Sequence, residues 1–287
     1  MKRIIVLIIA FVLVFTVLTG CNSKKDEKKV ADVSDMTEVE NVVSEDMTPV
    51  FAKELKNGTY DITVDSSSSM FWIESCELTV EDGFMNATMT MGGTGYLYVY
   101  MGTGEEAAAA NESEYIPFVE NSEGAHTFTV PVEALDAGIS CAAYSKNKEL
   151  WYDRTLVFRA DSLPTTAFAD GFINTVESMN IPDGAYTVEV TLEGGSGKAS
   201  VESPATLKVE NGIATATIIW SSPNYDYMKV DGVRYDPINT EGNSTYEIPV
   251  SCFDFKMPVL ADTVAMSEPH EIEYTLYFDS STITEKA

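Results

Sequence analysis

The chain repeats itself, because five segments of its first half recur in the same order in its second half. The matched segments lie roughly 120 to 130 residues apart, as expected when one domain is present twice. In chain order they are "NGTYDITV" with "DGAYTVEV", "LTVEDGFMNATMTM" with "LKVENGIATATIIW", "GYLYVYMG" with "NYDYMKVD", "YIPFVENSEGAHTFTVPVEALD" with "YDPINTEGNSTYEIPVSCFD", and "RTLVF" with "YTLYF". The repeat predicts one copy at residues 51–163 and another at residues 181–287, joined by a linker at residues 164–180.

Each copy carries the pattern of short antiparallel strands. Residues Tyr60–Val64 alternate in polarity with period two, which is typical of a half-buried strand. Asp82-Gly83 and Asn211-Gly212 are pairs that accept positive φ angles, and they predict a hairpin at the same place in each copy. We therefore expect an all-β chain of two tandem immunoglobulin-like antiparallel β-sandwiches. In the linker, the helical spacing of Phe168 and Phe172 predicts a short helix.

The start of the chain has the form of a secretory signal. Lys2 and Arg3 precede a continuous apolar run, Ile4–Leu18, which ends in "LTGC". This ending resembles the lipobox of bacterial lipoproteins, which implies cleavage before Cys21 and lipid on that residue. Residues 1–21 are therefore interpreted as a lipoprotein signal peptide, with an uncleaved anchor as the alternative. Either way, the rest of the chain is expected at the extracellular face of the cell membrane.

Residues 22–50 are predicted to form a flexible tether. They begin with lysines, turn acidic, and contain no aromatic residue before Phe51, so they cannot bury enough apolar surface to offset the entropy of ordering. Across the whole chain, 45 acidic residues against 18 basic ones give a net charge of −27. This charge argues against a nucleic-acid partner, which needs clustered Lys and Arg. It also leaves membrane attachment to the lipid on Cys21.

The cysteines and histidines exclude some chemistry and leave one question open. Cys76 and Cys141 both lie in the first copy, and an extracellular compartment permits a disulfide between them. Cys252 is expected to be a buried free thiol. His126 and His270 are the only histidines, which argues against a zinc hydrolase site.

No catalytic motif is apparent in the sequence. The patterns GxSxG, HExxH and the phosphate-binding loop are all absent. The serine run Ser66–Ser69 has no histidine placed by the sequence to activate it. We therefore expect a protein that is not an enzyme.

Four shared features suggest a family. They are the opening strands "NGTY" and "DGAY", the hairpins "VEDG" and "VENG", the aromatic loop that follows, and the aromatic final strand. In this order each copy resembles a NEAT (near-iron-transporter) domain, the haem-binding immunoglobulin-like module of Gram-positive surface proteins. The resemblance implies a haem site between a short helix after the first strand and the last hairpin, with a tyrosine of the last strand on the iron.

The resemblance also implies particular residues. In the first copy, Met70 and Phe71 would cover the ring, and Tyr152 would be the iron ligand. In the second copy, "HEIEY" supplies Tyr274 and, four residues earlier, His270 as candidate ligands. The implied function is a surface lipoprotein that binds haem or a related tetrapyrrole and passes it to a haem transporter.

Two alternatives remain open. The face of the last strand that carries Tyr274 has period-two apolar spacing, so it could equally be core. The rival function is a non-catalytic tandem immunoglobulin-like module that binds protein or carbohydrate at the cell surface. A flat exposed patch of Trp220, Tyr225 and Tyr227 would favour that rival.

Overall fold

The structure, a computed structural model, describes residues 29–32, 41–45, 47–265 and 269–286. The expected signal peptide and Cys21 lie outside these ranges, as does much of the expected tether. Within the described ranges, no helix has both the length and the apolar character needed to cross a bilayer.

The described residues are almost entirely β, which confirms the predicted fold class. They form four antiparallel sheets of five strands each, and a single short α-helix, α1 (Gly104–Ala109). The strands of the first half are β1 (Gly58–Asp61), β2 (Val64–Ser66), β3 (Ile73–Glu81), β4 (Phe84–Met91), β5 (Tyr96–Tyr100), β6 (Ile116–Pro117), β7 (Val119–Glu120), β8 (His126–Val132), β9 (Ile139–Ser145) and β10 (Trp151–Phe158). Those of the second half are β11 (Gly184–Val188), β12 (Val190–Gly194), β13 (Ala205–Glu210), β14 (Ile213–Ile219), β15 (Tyr225–Val230), β16 (Val233–Tyr235), β17 (Thr245–Pro249), β18 (Lys256–Thr263), β19 (His270–Phe278) and β20 (Thr284–Glu285).

Each half of the chain packs two sheets face to face around one core. The first half has strand orders β1-β3-β4-β8-β7 and β2-β10-β9-β5-β6, and the second has β17-β14-β13-β11-β20 and β12-β19-β18-β15-β16. Leu78 of β3 and Leu156 of β10 come from opposite sheets and belong to one buried cluster. Leu207 of β13 and Leu276 of β19 do the same in the second half. Inward residues of both sheets thus form each core, as in a β-sandwich.

The shared "G-x-Y" opening has a packing explanation. In each half the tyrosine, Tyr60 or Tyr186, folds back and donates its hydroxyl to the main-chain carbonyl four residues earlier, at 3.0 Å and 2.8 Å respectively. A Cβ added to Gly58 would lie 2.8 Å from the Tyr60 hydroxyl, and one added to Gly184 would lie 3.0 Å from that of Tyr186. Each glycine therefore leaves room for its tyrosine.

The predicted hairpins are confirmed by their backbone angles. Asp82 and Gly83 have φ angles of 50° and 82°, and Asn211 and Gly212 have 53° and 75°. Two successive positive φ angles define the tight turn that matches the twist of antiparallel strands. The turns connect β3 to β4 and β13 to β14.

A second equivalent turn contains an aspartate in each half. Asp136 and Asp254 both have positive φ angles, of 49° and 58°. The Asp136 carboxylate accepts a hydrogen bond from the Ala160 amide at 3.0 Å, and that of Asp254 accepts one from the Ser280 amide at 2.9 Å. Each carboxylate thus ties this turn to the residues just after the last long strand of its sandwich.

The helix predicted for the linker is wrong. The described linker holds only a 3₁₀ turn, Thr165–Ala167, because the next residue, Phe168, pairs its extended backbone with Leu55. Phe168 and Phe172 stack with ring centroids 5.5 Å apart, and Phe255 of the second half meets Phe168 edge-on at 4.8 Å. The apolar spacing of the linker thus serves an aromatic contact between the two sandwiches.

Parts of the expected tether are bound to the first sandwich. The amide of Trp151 donates to the Lys29 carbonyl, and the Ala31 amide donates to the Trp151 carbonyl, both at 2.9 Å. Further along, Val50 is buried and forms an isolated bridge with Leu135. The prediction of a flexible segment is therefore wrong at these positions, where backbone hydrogen bonds to the sandwich offset the cost of ordering.

The disulfide that the sequence permitted is not formed. Cys76 lies on β3 and Cys141 on β9, in opposite sheets of the first sandwich, and both are free buried thiols. Cys252 is also a free buried thiol, as expected. Burial raises the pKa of each of the three thiols to about 12. Thiols of this kind stay protonated and unreactive near neutral pH.

Candidate functional site

In the second sandwich, the predicted ligand Tyr274 lies inside the core. Its ring meets Trp220 edge-on at 5.2 Å, and its hydroxyl is 3.2 Å from the hydroxyl of Tyr225. The turn after β12 covers it so closely that a Cβ on Gly195 would lie 2.8 Å from the ring. Burial, together with the hydrogen bond to Tyr225, raises the pKa of Tyr274. A phenolate is therefore strongly disfavoured here.

The second candidate ligand of this copy lies elsewhere. His270 begins β19 and is exposed, and four residues of extended strand separate it from Tyr274 by about 13 Å. Leu276 and Phe278, which follow Tyr274 on the same face, are fully buried. The alternative interpretation of this face as core is therefore confirmed from Tyr274 onward.

The exposed aromatic patch expected for the rival function is absent. Trp220 and Tyr225 are both buried, and their rings pack 4.0 Å apart. Tyr227 is half-buried, donates its hydroxyl to Glu271 at 2.6 Å, and lies under the Arg234 guanidinium at 3.9 Å. The three residues therefore belong to the core and to a polar side-chain network.

In the first sandwich, the predicted residues converge at one end. Phe71 is fully buried and meets Tyr96 edge-on at 5.2 Å. The Tyr96 hydroxyl donates to the Met70 carbonyl at 3.4 Å and accepts from the Arg154 guanidinium at 3.3 Å. The guanidinium carbon in turn lies 5.3 Å from the centre of the Tyr152 ring. We call this group the first-sandwich tip; its members are Ser68, Met70, Phe71, Trp72, Tyr96, Tyr152 and Arg154.

The segment that leads into the tip is a turn and not the helix implied by the resemblance. Ser66 ends β2, and the Phe71 amide donates to the Ser68 carbonyl at 3.0 Å to close the turn. The Ser67 hydroxyl accepts from the Thr155 amide at 2.9 Å. Serine hydroxyls that bond to nearby backbone compete with helical hydrogen bonds, which explains the turn.

Two apolar side chains of the tip are exposed to solvent. Met70 is 63% exposed and Trp72 is 60% exposed, whereas Phe71 belongs to the core. The Trp72 ring lies across Gly92, so that a Cβ there would lie only 2.2 Å from the ring. Of the two residues predicted to cover a ligand, Met70 is accessible and Phe71 is not. Trp72 adds an exposed ring whose position is fixed by Gly92.

The tip also contains a buried cation. Arg154 is only 5% exposed, and its Nε has no hydrogen-bond partner. The guanidinium donates to the Asp153 carbonyl and to the Tyr96 hydroxyl. Among the described residues, no carboxylate forms an ion pair with it. A buried charge without a counter-charge is costly in a folded protein.

Sequence reasoning missed Trp72, Tyr96 and Arg154 as members of this site. The sequence does contain a hint for Arg154, because Tyr152, Arg154 and Leu156 alternate along β10 and so lie on the same face of the strand. A cation at the inward position of a strand is a departure from the alternation that a sandwich requires. The packing of Trp72 on Gly92 has no comparable signal in the sequence.

A cleft of about 800 Å³ lies between the two sandwiches. Its two cations are both paired: Arg159 with Asp161 at 2.7 Å, and Lys229 with Glu271. No three His, Cys, Asp or Glu side chains in the described part of the chain are placed to hold a metal ion. The other charged residues of the cleft are carboxylates, so the cleft is acidic and disfavours an anionic ligand; they are Asp61, Asp65, Glu74, Glu193, Asp231 and Glu273. Two of them also form ion pairs, Asp65 with Arg159 and Glu193 with Lys256.

A second groove, of about 650 Å³, lies at the opposite end of the first sandwich. Phe51 is 47% exposed and Phe84 is 73% exposed, and both line this groove beside the β3–β4 turn. Because β3 runs from Ile73 to Glu81, about 27 Å of strand separates the groove from the tip.

No protein-family model matches this chain, and no curated protein sequence matches it significantly. The resemblance to NEAT domains therefore depends on the shared sequence features alone.

Proposed function

We propose that the protein is a non-catalytic binding protein, held at the extracellular face of the membrane by lipid on Cys21. In this proposal it binds haem or a related tetrapyrrole at the first-sandwich tip and passes it to an uptake system at the same membrane. The observation that carries the proposal is the convergence of Met70, Tyr152 and the buried Arg154 at one end of one sandwich.

A tetrapyrrole has the properties that this end requires. Its flat apolar ring could cover Met70 and the fixed ring of Trp72, so that burial of apolar surface supplies most of the binding energy. Tyr152 is half-buried and is the tyrosine that could approach the iron of haem as an oxygen ligand. We assign no ligand to the second sandwich, because the Tyr274 hydroxyl is bonded inside its core.

The test is a titration of the purified protein with haemin, followed by the Soret band. We expect a shifted band for the natural sequence and for Tyr274→Phe, which serves as the matched control. Tyr152→Phe should move the band and weaken binding by about tenfold, or about 1.4 kcal/mol. A titration that matches free haemin, or equal effects of the two substitutions, would contradict the proposal.

A second candidate is a module that binds another protein at the cell surface. The exposed Phe51 and Phe84 favour it, because two aromatic side chains beside a groove are suited to an apolar segment of a partner. Phe84→Ser should abolish such binding and leave the Soret titration unchanged. A protein that remains colourless and shows no haemin binding, but has a partner that depends on Phe84, would establish this second candidate.

A further inference from the structure

Arg154 is a costly feature that the fold itself does not need. The matched segments "RTLVF" and "YTLYF" place Arg154 of β10 at the position of Tyr274 of β19. The matched aromatic segments likewise place Tyr96 at the position of Tyr225. In the second sandwich these positions hold two hydroxyls in contact, at 3.2 Å. In the first they hold a guanidinium and a hydroxyl, at 3.3 Å.

The surroundings of the two pairs are also equivalent. The Tyr225 carbonyl accepts a hydrogen bond from Ser244 at 2.7 Å. At the matched position of the first sandwich, His126 lies with Nδ1 3.3 Å from the Tyr96 carbonyl. The same fold therefore closes this end with a neutral pair in one copy and with an uncompensated cation in the other.

The hydrogen-bonding capacity of Arg154 is largely unused. A guanidinium has five N–H donors, and the structure pairs two of its nitrogens, one with the Asp153 carbonyl and one with the Tyr96 hydroxyl. Its Nε is buried and has no partner. A chain with 45 acidic residues provides no carboxylate for this group within the described residues.

A half-buried ring lies beside the guanidinium. Its carbon is 5.3 Å from the centre of the Tyr152 ring, and Tyr152 is only partly covered by the rest of the sandwich. A guanidinium with an unpaired N–H donor is suited to binding an oxyanion.

We propose that Arg154 forms an anion site that holds a carboxylate of the ligand, reached from the side of the half-buried Tyr152 ring that the guanidinium contacts. The inference rests on the proposed function for the place of the ligand, and it adds that the ligand must carry a negative charge. Ligand charge then contributes to selectivity at the first-sandwich tip separately from the iron.

The test compares two metal-free porphyrins, deuteroporphyrin IX with two free carboxylates and its dimethyl ester, in the same cosolvent. Quenching of tryptophan fluorescence gives both affinities. We expect the natural sequence to bind the diacid at least about tenfold more tightly than the ester, as expected for loss of a charged hydrogen-bonded pair. Equal affinity for the two porphyrins would overturn the inference while leaving the proposed function intact.

The chain itself supplies the matched variant. Arg154→Tyr reproduces the pair seen in the second sandwich, so it should fold and unfold with a midpoint no lower than that of the natural sequence. It should bind both porphyrins equally. A preference for the diacid that survives in Arg154→Tyr would overturn the inference.

A second measurement separates failure of the inference from failure of the proposed function. Protein labelled with ¹⁵N-arginine is titrated with sodium sulfate against sodium chloride of equal ionic strength. The Nε–H signal of Arg154 is identified as the one that is missing from the spectrum of Arg154→Tyr. We expect sulfate to shift this signal. If no porphyrin binds but sulfate shifts this signal, the proposed function fails and the anion site stands; an unmoved signal overturns the anion site.

Discussion

The hydroxyl pair of Tyr225 and Tyr274 allows a quantitative test of whether Tyr274 is core or ligand. Among the described residues, each hydroxyl has the other as its only hydrogen-bond partner, at 3.2 Å, and both residues are buried. Tyr274→Phe removes one hydrogen bond and leaves the Tyr225 hydroxyl unsatisfied inside the core. This substitution should lower the free energy of unfolding by about 1–3 kcal/mol, because the Tyr225 hydroxyl stays buried without a hydrogen-bond partner.

The double substitution should behave differently from the single ones. With both hydroxyls removed, no buried polar group is left without a partner. The free energy of unfolding of the double phenylalanine variant should therefore lie within about 1 kcal/mol of that of the natural sequence. The double-mutant cycle should therefore give a favourable coupling energy of about 1–2 kcal/mol. The slope of unfolding free energy against urea should not change, since the surface exposed on unfolding stays the same.

Trp220 is the natural reporter for this cycle. Its ring lies 4.0 Å from Tyr225 and 5.2 Å from Tyr274, so a 5-fluorotryptophan label places a fluorine signal beside the pair. Urea titrations followed by ¹⁹F NMR separate this signal from those of the other two tryptophans. Zero coupling, or a single substitution that does not alter stability, would refute the interpretation of Tyr274 as a satisfied core residue.

Four further outcomes are expected. A Cys21→Ser variant unfolded in guanidinium should expose three thiols per chain to Ellman's reagent, whereas a disulfide would leave one. The pKa of those thiols is raised from 9.0 to about 12 in the folded state. Their contribution to the free energy of unfolding is therefore complete below pH 9.0 and is lost as pH rises toward 12. Urea unfolding midpoints measured across that range should show the loss. Asp254→Ala should lower the free energy of unfolding, measured in urea, by about 2–3 kcal/mol, because the carboxylate accepts hydrogen bonds from both the amide and the hydroxyl of Ser280. Asp254→Asn should lower it by less. Gly92→Ala should displace the ring of Trp72 and weaken haemin binding with little loss of stability; unchanged affinity would exclude that ring from the site.

Local features were predictable from the sequence because their causes lie within a few residues. The Asp82-Gly83 and Asn211-Gly212 turns follow from the positive φ angles that these residues accept. The all-β class follows from strand alternation and from its repetition in both halves. In the same way, the apolar face around Tyr274 was visible as a period-two pattern.

Features that depend on contacts between distant segments were not predictable. The helical spacing of Phe168 and Phe172 did not reveal that Phe168 pairs with Leu55. Two cysteines in one half gave no information on the sheet to which each belongs, and the permitted disulfide was therefore left open. Tyr152 and Met70 were candidates from the resemblance, but their link through Tyr96 and Arg154 depends on how β5 and β10 pack.

The aromatic contact of Phe168 with Phe255 has a consequence for how the molecule tumbles in solution. Ile173 also packs against both cores, so the linker is anchored at both ends to its neighbouring sandwich. The two halves should then share one rotational correlation time, close to that of a single particle that contains both sandwiches. Amide relaxation rates in β4 and β14 should accordingly report the same tumbling, and a Phe255→Ala substitution should let the two rates diverge.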